Sequence, residues 1–139
     1  MSCENIALVT YTNSNCQDVW PVYFGQLRKY APKLKSYVFS DTVGEQFQEG
    51  NNWILYNNED PYYIQYTESL KKVQEEYIIY AQEDFILYDC PDWSSISRYI
   101  KFLDDSSFSF VRLIRSGFTD MDFGLKSIQD DIYDANTLD

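Results

Sequence analysis

The chain contains no histidine. That absence removes catalysis by a serine–histidine–aspartate triad and zinc centres built on imidazole. Basic residues are scarce as well: 11 lysines and arginines stand against 22 aspartates and glutamates, a net charge of −11. With no basic face to release counterions from a phosphate backbone, nucleic acid is not an expected partner. The three cysteines, Cys3, Cys16 and Cys90, are odd in number and form no C-x-x-C pair. Their usage suits a reducing, cytoplasmic compartment better than a disulfide framework. No window nears the roughly 20 apolar residues of a membrane span, so no transmembrane segment is expected. The first residues lack both a basic region and a long apolar segment, and no signal peptide is expected either. Internal repeats and low-complexity tracts are also missing.

What the chain does have is aromatic surface. Its 139 residues include 13 Tyr, 9 Phe and 3 Trp, enough for one domain with a real core. Tyrosine buries area while keeping a polar tip, so some of these rings are expected to line a groove rather than fill the interior.

Short apolar runs alternate with helical periodicity. Ile6–Tyr11 has the form of a central parallel strand and ends in the polar loop Thr12-Asn13-Ser14-Asn15. Trp20, Tyr23, Phe24, Leu27 and Tyr30 then recur at helical spacing, with Asp18 as the expected cap, Pro21 in the first turn and Pro32 as the stop. The full reading places strands at 6–11, 36–40, 53–56, 77–82 and 108–114, and helices near 18–30, 62–74 and 92–104. That order predicts an α/β fold, a mostly parallel sheet with helices on both faces. Beyond Gly117 the periodicity fades.

The most informative stretch is Tyr77-Ile78-Ile79-Tyr80-Ala81-Gln82-Glu83-Asp84. A buried strand runs directly into two carboxylates, and an unpaired buried carboxylate costs several kcal/mol, on the order of the desolvation of a charge. Glu83 and Asp84 therefore belong at the carboxyl end of the strand, where ligands of open α/β sheets bind. Two hard oxygen ligands there suit Mg²⁺ or Mn²⁺, which share the phosphates of a substrate. Such an ion would also offset the repulsion between an acidic chain and a diphosphate. Asp41, directly after the second strand, is placed to meet a ribose or base. Lys71 belongs to the helix that feeds the acidic strand and is counted among the nucleotide contacts. Adjacent acids also occur at Glu75-Glu76, Asp104-Asp105 and Asp130-Asp131, where solvation explains them; only Glu83-Asp84 lies between two apolar runs.

These pieces together resemble the nucleotide-binding half of a bacterial GT-A-type glycosyltransferase. The matching segments are Val9-Thr10-Tyr11-Thr12-Asn13, Val19-Trp20-Pro21-Val22-Tyr23-Phe24, Tyr37-Val38-Phe39-Ser40-Asp41, Leu70, Tyr77 to Phe85, and Val111-Arg112-Leu113-Ile114. The resemblance implies a Rossmann-like fold that binds a nucleotide-sugar donor. It assigns the nucleotide to Thr10, Tyr11, Thr12, Asp41 and Glu83, and the metal to Asp84 and Glu83. Gln82 stands where the first acid of a D-x-D motif would be. The acceptor would be a glycan or lipid-linked species. In this reading residues 1–115 form the nucleotide-sugar-binding domain, and 116–139 are an acidic segment where an acceptor-binding half would begin. The chain then looks like a fragment or a short relative, inactive alone. A non-catalytic, tyrosine-rich protein-interaction module explains the same charge and aromatics. A phosphoacceptor receiver domain does not, because Thr10-Tyr11-Thr12 offers no acid after the first strand.

Overall fold

The computed structural model of the protein describes residues 5–113, 126–129 and 132–134. Cys3, Ile114 and most of the acidic C-terminal segment lie outside the described residues. The chain divides into two compact units, residues 1–100 and 101–139.

The first unit is a four-stranded, all-parallel sheet in the order β3-β2-β1-β4. Its strands are β1 (Ile6–Tyr11), β2 (Lys35–Ser40), β3 (Asn51–Leu55) and β4 (Tyr77–Gln82). The helices are α1 (Trp20–Tyr30), α2 (Tyr62–Leu70) and α3 (Trp93–Asp105), the last running across the boundary between units. The α/β architecture with a parallel sheet is thus as the apolar runs predict.

Side-chain alternation along each strand divides the core in two. Ile6, Leu8 and Val38 face α1 and the start of α3, packing with Trp20, Tyr23, Phe24, Leu27 and Ile100. Ala7, Val9, Tyr37 and Phe39 point the other way, toward Tyr66 and Leu70 of α2. Burial on both faces explains why β1 reads as an uninterrupted apolar run. It also explains the helix positions. The chain moves outward from β1 to β2 and β3, then crosses back over β1 to β4. Right-handed crossovers in opposite directions put α1 and α2 on opposite faces.

Three local expectations are corrected. The cap of α1 is Val19, which makes no side-chain bond, and not Asp18. Pro21 in the first turn has no N–H to satisfy, and the Val22 and Tyr23 amides already bond the Val19 carbonyl, so little is left for a cap to do. Helix α2 ends at Leu70, short of the expected 74. In the run at 108–114, the described residues 108–113 form no strand, and Phe110 is 78% exposed. Aromatic and β-branched residues favour a strand only where a neighbouring strand receives them. In the second unit, β5 (Lys126–Gln129) and β6 (Ile132–Asp134) pair antiparallel, with an irregularity between Ser127 and Gln129. Asp92 gives α3 the good cap its sequence implies, accepting from the Ser95 amide at 3.1 Å and the Ser95 hydroxyl at 2.7 Å.

One glycine is required for closeness rather than for its dihedral freedom. A Cβ on Gly44 would lie 2.9 and 3.0 Å from ring atoms of Trp53 and 3.0 Å from the Trp20 ring. Its φ of −79° would admit any residue, so the objection is purely steric. Gly44→Ala is expected to destabilise the fold by about 1–3 kcal/mol, because rigid packed indoles cannot swing aside. Urea denaturation monitored by tryptophan fluorescence measures this, and an unchanged midpoint would show that the two rings yield.

Candidate functional site at the carboxyl edge of the sheet

The order β3-β2-β1-β4 sets the carboxyl ends of β1 and β4 side by side, and the connections that leave them lead to α1 and α3, which pack on the same face of the sheet. Tyr11 pairs in register with Phe39 on one side and Gln82 on the other. The segments after β1, β2 and β4 therefore leave from one edge, which brings Thr12, Asp41 and Glu83-Asp84 to the same end of the sheet.

Asp41 is the anchor of this edge. Its carboxylate accepts from the Ser14 amide at 2.7 Å and from the Ser14 hydroxyl at 2.6 Å, with the Ser40 hydroxyl at 3.3 Å. Burial acts to raise its pKa, but the hydrogen bonds from Ser14 prevail and hold the carboxyl below the usual carboxylate range. The clamp fixes the loop after β1 against the end of β2. Tyr56, just past β3, adds a second fastening by donating to the Thr12 carbonyl at 2.6 Å. Asn13 completes it through Asn58 Oδ1 at 3.1 Å, while its own oxygen accepts from the Asn15 amide at 3.0 Å.

Thr10 and Thr12 are buried and their hydroxyls are engaged internally. Thr10 shares a proton with Tyr23 at 2.7 Å, and Thr12 accepts from the Trp20 indole at 2.9 Å. These bonds tie the end of β1 to α1. Burial pushes the Tyr23 phenol up to about 12, so it stays a neutral hydrogen-bonding group. Tyr11, by contrast, turns to the α2 side. Its ring stacks on Tyr56 at 5.3 Å and meets Tyr62 edge-on at 4.9 Å, and its hydroxyl donates to Gln65. Tyr62 packs on Tyr66, Tyr66 meets Tyr80 edge-on, and the Tyr62 and Tyr80 hydroxyls are 3.1 Å apart. Burial raises the pKa of both Tyr11 and Tyr80, so this row of rings stays uncharged.

Glu83 and Asp84 occupy a turn closed by the Phe85 amide on the Gln82 carbonyl at 3.0 Å. The strand has therefore ended where the acids begin, and the strict alternation that would part them no longer applies. Glu83 is half-buried and lies near the Cys16 thiol; Asp84 is exposed. The Glu83 carboxylate, with burial and the nearby acids Asp18 and Asp84, pushes the Cys16 thiol up to about 11. Lys71 is not part of this constellation. It follows the last turn of α2, on the way to the amino end of β4, and its ammonium pairs with Glu68 at 2.5 Å.

No protein-family profile, curated protein or solved structure matches this chain. Among the described residues no three Cys, Asp or Glu side chains assemble into a metal-binding group. Glu83 and Asp84 therefore make no complete metal centre by themselves, and further oxygens would have to come from a bound diphosphate and water. The edge offers carboxylate and amide acceptors for hydroxyl-bearing ligands, together with flat aromatic faces.

The sequence pointed to Asp41, Tyr11 and the acidic turn, which the fold brings to one end of the sheet, but not to Ser14, Cys16, Tyr56, Tyr62 and Gln65 beside them. The only signal for these was the tyrosine excess and the small polar loop after β1. Among the described residues, no helix is long and apolar enough to cross a membrane.

Proposed function

We propose that residues 1–115 bind a nucleotide-diphospho-sugar as the donor half of a cytoplasmic glycosyltransferase-like protein, which transfers the sugar to a glycan or lipid-linked acceptor. The observation that carries this reading is the strand order β3-β2-β1-β4, with the Asp41-clamped loop and the Glu83-Asp84 turn at one edge. In this reading the Tyr11–Tyr56 stack offers a face to the base, and Asp41 keeps the loop after β1 in place beneath the ribose. Glu83 accepts from a sugar or ribose hydroxyl. Asp84, exposed at the turn, would join the diphosphate around Mg²⁺ or Mn²⁺, whose contribution is to neutralise phosphate charge. A second reading, a protein-interaction module, draws support from the segment after β4, where Phe85, Ile86 and Tyr88 are 41%, 38% and 87% exposed.

Isothermal titration of the full chain with UDP and GDP, with and without Mn²⁺, separates the two. The expected result is binding that strengthens by about tenfold or more with the metal, a gain of about 1.4 kcal/mol. Asp84→Asn should abolish that increment, whereas Glu83→Gln should only reduce it. Metal-independent binding in Asp84→Asn, or no binding by the wild type, would give the interaction module the stronger claim.

A further inference from the structure

The sheet ends at β4, yet nothing in that strand is built like an edge. Tyr77–Gln82 pairs with β1 residue for residue without a bulge, and among the described residues no strand lies on its other side. Alternate amides and carbonyls of β4 therefore face away from β1. Edges of this kind are normally blunted by lysine, proline, a bulge or a very short strand. β4 uses none of these devices; it is a run of tyrosine, isoleucine, alanine and glutamine.

The opposite edge shows the contrast. β3 opens on Asn51 and Asn52, poor strand formers whose side-chain amides turn back to the Phe47 and Ser36 carbonyls. In β4 both faces are apolar. Ile79 lies on the α1 side, while Ile78 and the 36% exposed Tyr80 lie on the α2 side. A strand with apolar residues on both faces suits a place between two neighbours.

Charge selects among the possible neighbours. Residues 73–97 carry six acids and no lysine or arginine. Glu76 and Asp84 are exposed at the two ends of β4, and Glu83 is half-buried beside Asp84. Glu75 is already paired with Lys35 at 2.5 Å, whereas Glu76 accepts from the neutral Asn5 amide at 2.6 Å. Two copies joined β4 to β4 about a two-fold axis run antiparallel, which sets Glu76 of each against Glu83 and Asp84 of the other. Like charges so placed oppose the pairing. Residues 116–139 of the same chain, six acids against one lysine, are repelled as well.

We propose that the free edge of β4 adds a strand from another protein, an extended segment with an apolar core of about five residues and lysine or arginine at both ends. Main-chain hydrogen bonds hold that core along residues 77–82, and its side chains cover Ile78 and Tyr80. The basic ends meet Glu76 at one end of β4 and Asp84 at the other. This edge shares the acidic turn with the candidate nucleotide site but needs neither nucleotide nor metal, so it stands whether or not a nucleotide binds.

The test uses a capped peptide, five alternating valines and threonines between two pairs of lysines. It is added at low ionic strength to the ¹⁵N-labelled full chain, without nucleotide or metal. Saturable binding with a Kd below about 1 mM is expected. Amide exchange should slow at alternate residues within 77–82, those facing outward, while the amides already bonded to β1 change little. Methylating the five central amide nitrogens of the peptide keeps its charge but removes its donors, and should weaken binding about tenfold or more. Glutamates in place of its lysines should weaken binding by about tenfold or more as well. Glu76→Gln combined with Asp84→Asn should weaken the lysine peptide about threefold or more, without lowering Tm, because both sites are exposed. Absent binding, binding without alternate protection in 77–82, or equal binding of either control peptide would overturn the proposal. So would unchanged affinity in the double variant. Protection of the same amides that grows with protein concentration alone would also overturn it, and assign the edge to a second copy.

Discussion

Replacing Trp20 with alanine is expected to lower the unfolding free energy by about 3–5 kcal/mol. The side chain is 2% exposed and stands where three parts of the first unit meet. Its ring lies 5.4 Å from Trp53 and 6.4 Å from both Phe24 and Phe47, so the change opens a space that rigid neighbours cannot close. Its indole N–H also holds Thr12, and with it the end of β1, against α1. For a domain whose whole stability is on the order of 5–15 kcal/mol, such a loss threatens folding at physiological temperature. Thr12→Val separates packing from hydrogen bonding. It keeps the shape but strands the indole N–H, and should cost about 1–3 kcal/mol. Urea denaturation of both variants measures the difference. Equal losses would mean that the single bond to Thr12, and not the aromatic cluster, holds α1 in place.

The second large effect is expected at Asp41. Asp41→Ala removes both Ser14 bonds and frees the loop after β1 from the end of β2. Charge-assisted bonds at a half-buried carboxylate justify a loss of about 1–3 kcal/mol after allowance for solvent screening. If the carboxyl edge holds a nucleotide, its affinity should fall by about tenfold or more, because the loop no longer stands ready for the ligand. Calorimetric titration with UDP and Mn²⁺ reads the second effect, and chemical denaturation reads the first. Full affinity in a destabilised variant would detach Asp41 from ligand binding and leave it a structural clamp.

The same carboxylate makes stability depend on acid. Asp41 is held below its ordinary 3.8, burial opposing and the Ser14 bonds prevailing. Glu75 is held below its ordinary 4.5, where burial is again outweighed, here chiefly by the Lys35 ammonium that pairs with it at 2.5 Å. Both groups have a folded pKa lower than the unfolded one, so their stabilisation is complete above the unfolded values. It drains away as pH falls through the folded ones. The unfolding free energy should therefore be level from about pH 7 to about pH 5 and decline steeply below about pH 4. Asp41→Asn should flatten part of that decline. A wild-type profile that stays level to about pH 3 would contradict both assignments.

How much of this was legible beforehand depended on how far apart the interacting residues lie. The apolar run at Ile6–Tyr11 announced a strand because a strand buried on both faces leaves little room for polar residues. The run at Tyr77–Gln82 is a strand too, but not the buried one its sequence suggests: β4 lies at the sheet edge, where only Ala81 is buried and Tyr80 is exposed. Trp20, Tyr23, Phe24 and Leu27 announced α1 because a helix returns the same face to the core every three or four residues. The acids at Glu83 and Asp84 announced a strand end because desolvating them inside a strand is too costly. Each of these signals is written in neighbouring residues. Phe108–Leu113 looks much the same in sequence yet forms no strand, because a strand is completed by a partner that local sequence does not name.

Tertiary structure alone decided the rest. The bonds from Ser14 to Asp41 span 27 positions and that from Tyr11 to Gln65 spans 54. No local period encodes such pairings; they exist because β1 lies between β2 and β4. The strand order likewise decided that Lys71 stands apart from the carboxyl edge and that Cys16 meets Glu83. Composition fixed what the chain is made to bury. Only the folded arrangement determined which of its hydroxyls and carboxylates are satisfied internally, as those of Thr10, Thr12 and Asp41 are, and which, like Asp84 at the turn, stay exposed to solvent.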